Sequence, residues 1–227
     1  LYKLPFPDEV CSKIFILTCK TPHTGLAIEV LKTKLNMYHL NLPDKDEDVT
    51  CIDKDQLIDY TSRDAIDIYF YTLFKNLTSI DLSHTDVTGD IIHLKSLPNL
   101  TEIHLVSTHV TGDIIHLKSL PNLTEIHLGY TGVYGDIENL KSLLKLTAID
   151  LSDTGVYGDI AHLKSLMNLT DIMINDSLIA GDITDIKSLI NLTAIFISDT
   201  EITVNEDLFN EYRESAGLNP CYIEIWN

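Results

Sequence analysis

Hydrophobic residues repeat with a period of 23 residues across the middle and C-terminal parts of the chain. A Gly-Asp-Ile triplet marks the repeat and begins at Gly89, Gly112, Gly135, Gly158 and Gly181. A Leu-Thr pair keeps the same spacing and begins at Leu77, Leu100, Leu123, Leu146, Leu169 and Leu192. A fixed period of this length predicts a stacked repeat protein, because a single unit cannot bury its apolar edge without neighbours.

The unit that starts at Leu97 shows which elements each repeat should contain. Apolar and polar residues alternate around Ile103 and Leu105, which predicts a short strand with one buried face. Apolar residues then recur every three positions from Ile114 to Leu120, which predicts a helical turn. Each repeat should therefore form one complete coil, which brings the chain back to where the next strand begins. Successive strands should then lie side by side.

The resulting pattern, LxxLxxLxLxxTxVxGDI, resembles the leucine-rich-repeat family over residues 74–204. It is most similar to the plant-specific class, whose repeats carry an Asn and then Ser-Gly-x-Ile-Pro. Here Thr stands in place of that Asn, and Gly-Asp-Ile stands in place of Gly-x-Ile-Pro. The resemblance implies an α/β solenoid, a right-handed superhelix of 23-residue repeats with a parallel concave β-sheet and short helical turns on the convex side. In that family partners bind the concave face, which implies a recognition module.

Three segments are predicted along the chain. Residues 1–73 lack the repeat and include an amphipathic pattern from Gly25 to Tyr38, which predicts an N-terminal helical cap. Because this region is long for a cap, a small functional domain is the alternative. Residues 74–204 form the leucine-rich repeats, with six strand-bearing coils, and residues 205–227 form a C-terminal cap.

The C-terminal cap should contain one helix and one strand. The segment from Asp207 to Ala216 is predicted to be helical, and Gly217 is a suitable helix stop. The alternating segment from Tyr222 to Trp226 predicts a last strand with Ile223 and Ile225 directed inward.

Two repeated polar columns have structural interpretations. The first is expected to point inward and to hydrogen-bond loop backbone between coils, as the family's Asn ladder does. It comprises Thr85, Thr108, Thr131, Thr154, Ser177 and Thr200. The second is the Asp after each repeated Gly, which should cap the helical turn that follows it. It comprises Asp90, Asp113, Asp136, Asp159 and Asp182, and a metal-binding Asp ladder is the alternative.

Charge and motif content narrow the functional classes. Sixteen Lys and Arg against 34 Asp and Glu give a net charge of −18, which argues against nucleic acid or an anionic membrane as partner. No apolar run approaches the roughly 20 residues that span a bilayer, so we expect no membrane insertion. The sequence has no glycine-rich phosphate loop, HExxH motif or nucleophile elbow, so we expect neither enzymatic activity nor a cofactor.

The predicted concave face carries residues that vary from repeat to repeat, and these are the candidate binding residues. Its central column holds Asp81, His104, His127, Asp150, Met173 and Phe196. Flanking positions add His84, Glu102, Ser107, Glu125, Tyr130, Asp153, Asp171, Asp176 and Asp199. An apolar pair, Met173 and Phe196, rimmed by carboxylates is typical of a protein-binding patch. The predicted partner is therefore a protein or peptide that carries Lys or Arg.

Two other functions fit the same sequence. His104 and His127 should lie about 5 Å apart on adjacent strands, with Asp81 and Asp150 beyond them. The two imidazoles could share a divalent metal ion, and flanking carboxylates could complete the site. The plainer interpretation is that the repeat copied Glu-Ile-His once. The chain could also be a structural or adhesive module of a larger protein.

The cysteines and the glycosylation sequons give information on the cellular location of the protein. Cys11, Cys19 and Cys51 could form a disulfide that staples the N-terminal region, or they could be buried free thiols. Cys221 is expected to close the C-terminal cap. Asn-x-Ser/Thr sequons recur with the repeat and could carry glycans. The family resemblance and the clustered cysteines favour an extracellular or secreted location.

Overall fold

The computed structural model describes residues 50–53 and 67–225, and the structural statements below concern these residues. The chain winds into a stack of coils in which strands and 3₁₀ turns recur in the same order. One parallel sheet has eight strands, a second parallel sheet has six, and the 3₁₀ turns stack on one another. This arrangement confirms the predicted α/β solenoid with a parallel sheet and short helical turns.

The first sheet contains one strand from each coil. Its strands, in spatial order, are β1 (Cys51–Asp53), β2 (Ser79–Asp81), β4 (Glu102–His104), β6 (Glu125–His127), β8 (Ala148–Asp150), β10 (Asp171–Met173), β12 (Ala194–Phe196) and β14 (Tyr222–Glu224). The middle residue of each strand, such as Ile103 or Ile126, is buried, and its two neighbours face outward. Six of these strands come from the predicted repeat region, and the segments before and after it add one strand each.

The second sheet was not predicted from the sequence. Its strands are β3 (Thr88–Asp90), β5 (His109–Asp113), β7 (Gly132–Asp136), β9 (Gly155–Asp159), β11 (Leu178–Asp182) and β13 (Glu201–Thr203). In β5, exposed and buried residues alternate, with Val110 and Gly112 directed inward. The repeat pattern predicted only the first sheet, because the alternation that forms the second lies in the segment interpreted as a turn.

A 3₁₀ turn follows each strand of the second sheet except the last, and Asp caps it. The turns are Ile91–Ser96, Ile114–Ser119, Ile137–Leu140, Ile160–Ser165 and Ile183–Ile186. At each one the preceding Asp accepts a hydrogen bond from the backbone N–H two residues on, as Asp113 does from Ile115 at 2.8 Å. The predicted capping role of the Asp column is therefore confirmed, since these N–H groups lack partners within the turn.

Gly112 illustrates why the Gly before each Asp is needed. Its φ of +121° lies in a region that side chains rarely adopt. A Cβ on Gly112 would also overlap the carboxylate of Asp90, which stands one coil earlier. The repeated Gly therefore allows the capping Asp of the preceding coil to lie directly beneath the backbone.

The hydrogen bonds between coils come from a different Thr column than the one predicted. The Thr85 column bonds within its own coil, because each hydroxyl donates to the carbonyl three residues earlier, as Thr108 does to Leu105 at 2.8 Å. The bonds between coils come from the Thr of the Leu-Thr pair, as when Thr124 donates to the carbonyl of Thr101 at 3.0 Å. The inter-coil ladder was thus assigned to the wrong column, since the sequence does not show which hydroxyl faces the neighbouring coil.

The stack extends upstream of residue 74. Strand β1 pairs in register with β2, and a 3₁₀ turn at Ile68–Leu73 precedes the first repeat. Asp67 caps that turn by accepting from the N–H of Tyr69 at 2.8 Å. Residues 1–49, which include the predicted helix from Gly25 to Tyr38, lie outside the described residues, so the domain boundaries stay predictions.

The C-terminal cap consists of helix α1 (Glu206–Ser215) and β14, as predicted. Asn205 caps the helix, and Gly217 with φ of +74° follows its end. Cys221 is buried, and its N–H donates to Asn210 Oδ1 at 2.9 Å, which joins the last strand to the helix. Ile223 is buried, whereas Ile225 is 39% exposed, so its predicted inward orientation was wrong. The strand ends at Glu224, before the alternation can return Ile225 to the core.

Cys51 is exposed and carries a free thiol. For Cys51, this contradicts both the predicted disulfide and the alternative of a buried thiol. Cys11 and Cys19 lie outside the described residues, so a disulfide between those two stays a prediction. Within the described part of the chain, no helix has the length and apolar character needed to cross a bilayer.

Candidate functional site

The central column predicted from the sequence forms one continuous row on the outward face of the first sheet. Parallel pairing aligns Asp81 with His104, His104 with His127, and His127 with Asp150. The row continues through Met173 and Phe196 to Glu224 of the C-terminal cap. These side chains face outward because their neighbours, the column of central Ile residues, fill the core.

A second row runs beside the first on the same face. It aligns Glu102 with Glu125, then Ala148, Asp171, Ala194 and Tyr222. Three of the predicted site residues, Glu102, Glu125 and Asp171, therefore share one face with the central column. Asp171 is held in place by the hydroxyl of Thr170, which donates to its Oδ2 at 2.6 Å.

A third row lies at the corner just after each strand and has an unusual backbone conformation. Its φ values lie between 49° and 61°, in the left-handed region that residues with side chains rarely adopt. The row comprises His84, Ser107, Tyr130, Asp153, Asp176 and Asp199. All six side chains are exposed, with Tyr130 56% exposed. The N–H of Tyr130 donates to the carbonyl of Ser152 in the next coil at 2.7 Å, so coil stacking fixes this conformation.

Asp150 differs from the exposed position expected from the sequence. Only 9% of it is accessible, and its Oδ1 accepts a hydrogen bond from the N–H of Ser152 at 3.0 Å. The carboxylate lies against Gly129, where a Cβ would meet it at 2.7 Å. Asp150 therefore adds negative charge to the face and stabilises the turn at Ser152, but it offers a partner little surface to contact.

An apolar cluster occupies the C-terminal end of the face. Met173 and Phe196 are half-buried neighbours in the central column. The ring of Phe196 packs edge-on against that of Tyr222, with the centroids 6.0 Å apart. Tyr222 is 57% exposed, and its hydroxyl lies 3.1 Å from Glu224 Oε2, a contact that raises the pKa of the phenol. Tyr222 and Glu224 were not predicted as site residues, because the last coil does not keep the 23-residue spacing.

His104, Glu125 and His127 form a compact cluster at the other end of the face. Glu125 Oε2 lies 3.2 Å from Nε2 of His104 and 3.6 Å from Nε2 of His127. The two imidazole centroids are 4.6 Å apart. Burial lowers the pKa of His127, and the neighbouring His104 lowers it further, while Asp150 and Glu125 act in the opposite direction. The lowered pKa favours the neutral form of the His127 ring, which is the form in which imidazole binds metal ions.

The carboxylate that joins this pair is Glu125. The sequence places Asp81 and Asp150 beyond the two His residues in the central column and leaves open which flanking carboxylate completes the site. In the structure Glu125 lies between them, because it stands two residues before His127 on the same strand and shares its outward face.

Comparisons with known proteins identify the fold. No family model matches the chain, and no curated protein matches it significantly. The chain is similar to the LRR ectodomain of the plant membrane receptor kinase GASSHO1/SCHENGEN3 from Arabidopsis thaliana, solved in complex with CASPARIAN STRIP INTEGRITY FACTOR 2. That structure is 25% identical with a TM-score of 0.57, and the match covers 71% of this chain and 20% of the receptor chain.

Two further structures support the same conclusion. The plant peptide hormone receptor RGFR1 in complex with RGF2 is 19% identical with a TM-score of 0.59, covering 82% of this chain and 32% of the other. The LRR protein LIC12759 of Leptospira interrogans is 16% identical with a TM-score of 0.59, covering 78% and 49%. This chain therefore spans between a fifth and about a half of the length of these structures, and it has the leucine-rich-repeat fold.

Proposed function

We propose that the chain is a non-enzymatic recognition module that binds a protein or peptide carrying Lys or Arg across the outward face of its first sheet. The observation that carries this proposal is the row formed by Asp153, Asp176 and Asp199. These three carboxylates stand in consecutive coils with exposed side chains. Within the described part of the chain, no Lys or Arg forms an ion pair with them.

The spacing of these carboxylates suits an extended basic segment. Neighbouring strands of a sheet lie about 5 Å apart, so the row offers one carboxylate roughly every 5 Å. An extended peptide presents alternate side chains about 7 Å apart on one face, within reach of successive positions for flexible Lys or Arg side chains. Net charge of −18 would also speed the approach of a cationic partner over a distance of several ångströms.

The apolar cluster next to the acidic row supplies the second part of the surface. Phe196 and Tyr222 pack on each other, and Met173 adjoins Phe196 in the central column. Aromatic and Met side chains are enriched at the centres of interfaces, because they exclude water from neighbouring polar contacts. A partner that places an apolar residue here and basic residues on the Asp row would use both features.

The similar structures support the class of function. The GASSHO1/SCHENGEN3 ectodomain and the RGFR1 receptor were each solved in complex with a partner. We extend partner binding to this chain as part of the proposal, together with the plant-specific class of repeat that the TxVxGDI pattern suggests.

A selection from a random dodecapeptide library tests the proposal. We expect peptides selected on the wild-type chain to be enriched in Lys and Arg, and to bind more weakly as salt rises, because exposed charges are screened. The variant Asp153→Asn/Asp176→Asn/Asp199→Asn should reduce affinity for the selected peptides at least tenfold. Enrichment without basic residues would contradict the predicted partner chemistry.

A matched control separates local contact from net charge. The variant Asp185→Asn/Glu201→Gln/Glu214→Gln removes the same three charges from exposed positions on a 3₁₀ turn, the second sheet and helix α1. We expect it to change affinity less than threefold. Equal losses in both triple variants would show that the peptides respond to overall charge rather than to this face.

A further inference from the structure

The cluster of His104, Glu125 and His127 points to a second property, metal binding, that does not depend on the proposed peptide recognition. Among the described residues, it is the one group of three or more His, Cys, Asp or Glu side chains whose ligand atoms are close enough to hold a metal ion. One ligand atom from each residue lies within 4.8 Å of the other two. The geometry follows from the fold, since His104 and His127 occupy paired positions on β4 and β6 and Glu125 shares the outward face of β6.

The distances fit a tetrahedral ion with nitrogen and oxygen ligands. Zn–N and Zn–O bonds are about 2.0–2.1 Å, so the ligand atoms of a tetrahedral site lie roughly 3.3 Å from one another. The two distances from Glu125 Oε2, 3.2 Å to His104 and 3.6 Å to His127, match this edge. The third edge, between the imidazole nitrogens, is at most 4.8 Å, and it would have to shorten to about 3.3 Å when an ion binds.

The Nε2 atom of His104 provides a second and independent observation. It is shielded from solvent and has no hydrogen-bond partner, although it lies 3.2 Å from Glu125 Oε2. The two atoms are close, but their alignment does not allow a hydrogen bond, so Nε2 remains without a partner. This is unusual, because buried polar atoms almost always have one. A metal ion between the two side chains would satisfy the nitrogen lone pair and the carboxylate together.

We propose that His104, Glu125 and His127 bind a zinc-class divalent ion on the outward face of the first sheet. Two imidazoles and one carboxylate favour Zn²⁺ over Ca²⁺ or Mg²⁺, which prefer all-oxygen sites. The side chains of the three ligands are 20–38% exposed, so the fourth coordination position is open to water or to a group from a bound partner. Asp150, the next residue in the central column after His127, adds negative charge beside the ion.

Calorimetric titration of the metal-free full chain with ZnCl₂, in a buffer that does not bind zinc, tests the site. We expect one equivalent to bind with a micromolar or lower Kd. That equivalent should disappear in His104→Gln/His127→Gln, and Glu125→Gln should weaken it at least tenfold. Retention of the same equivalent in the double variant would overturn the proposal, as would the absence of saturable binding to wild type.

The chain offers a matched control for the His pair. His93 and His116 stand 23 residues apart, like His104 and His127, but lie on the 3₁₀ turns and belong to no described cluster with a carboxylate. The variant His93→Gln/His116→Gln should bind zinc like wild type, and an equal loss in this variant would contradict the assignment.

A measurement on the wild-type chain keeps the test valid if the double variant misfolds. Imidazole ¹⁵N NMR should show zinc-dependent shifts confined to one ring nitrogen each of His104 and His127. Shifts at His93, His116 or other His residues, with none at this pair, would place the ion elsewhere and overturn the proposal.

Discussion

Arg213 of helix α1 donates a hydrogen bond from Nη1 to the carbonyl oxygen of Leu189, 2.7 Å away in the last complete coil. The same guanidinium reaches the carbonyls of Leu192 at 2.9 Å and Asn219 at 2.8 Å, and the side chain is fully buried. A stack of coils must end somewhere, and its last backbone carbonyls have no further coil to supply hydrogen-bond donors. Arg213 therefore closes the C-terminal end of the solenoid by serving several carbonyls with one planar group.

Replacing Arg213 with Met should lower the free energy of unfolding by about 3–5 kcal/mol, because several buried carbonyls lose a charged donor at once. Arg213→Lys should recover only part of this loss, since one ammonium cannot reach all the acceptors. Urea denaturation measures both values, with Glu211→Gln on the exposed side of the same helix as the control. A loss below about 1 kcal/mol for Arg213→Met would show that water replaces the guanidinium.

Gly112 and Gly217 form a matched pair for the role of glycine in the coil. Both have positive φ, but a Cβ on Gly112 would overlap Asp90, whereas the space around Gly217 is open. Gly112→Ala should therefore cost about 2–4 kcal/mol, from backbone strain and displacement of the cap. Gly217→Ala should cost only about 1 kcal/mol, from strain alone. Similar losses in thermal or urea unfolding would show that the close approach to Asp90 relaxes freely.

Ser107 tests the left-handed row that displays much of the candidate face. Its φ is 54° and its side chain is exposed, so substitution changes backbone strain without removing core contacts. Ser107→Val should destabilise the chain by about 1–2 kcal/mol, because β-branched residues tolerate this region poorly, and Ser107→Gly should be nearly neutral. Chemical denaturation of both variants checks the order. Equal stabilities would indicate that the corner changes its conformation to suit the residue.

Cys221 gives the folded chain a specific response to alkaline pH. Burial raises the pKa of its thiol from 9.0 to about 11. The folded state therefore favours the protonated thiol, and this contribution to stability is complete below pH 9 and is lost as pH rises towards 11. At pH 10.5 the loss should be about 2 kcal/mol.

The comparison of wild type with Cys221→Ala isolates this response from other titrating groups. We expect the difference in their unfolding free energies to be constant up to about pH 8.5 and to shrink by roughly 2 kcal/mol at pH 10.5. A difference that stays constant over this range would mean that the folded thiol titrates normally.

The sequence by itself determined the repeat, the strands of the first sheet, the helical turns and the register of the candidate face. A strict 23-residue period requires each coil to stack on a copy of itself, so His104 must lie beside His127 and Met173 beside Phe196. The Asp caps were predictable for the same reason, since a carboxylate directly before a helical turn has free N–H groups within reach.

Only the tertiary structure decided how side chains use the space between coils. Which Thr column bridges coils, whether Asp150 is exposed, and which carboxylate lies between the two His residues all depend on side-chain direction. The second sheet likewise depends on backbone pairing between coils, which a turn-like sequence does not reveal. Tyr222 reaches Phe196 because the cap folds back as a strand, and Arg213 finds its carbonyls because α1 covers the last coil. A repeat period gives the position of each residue along the stack, whereas contacts across the stack follow from three-dimensional packing.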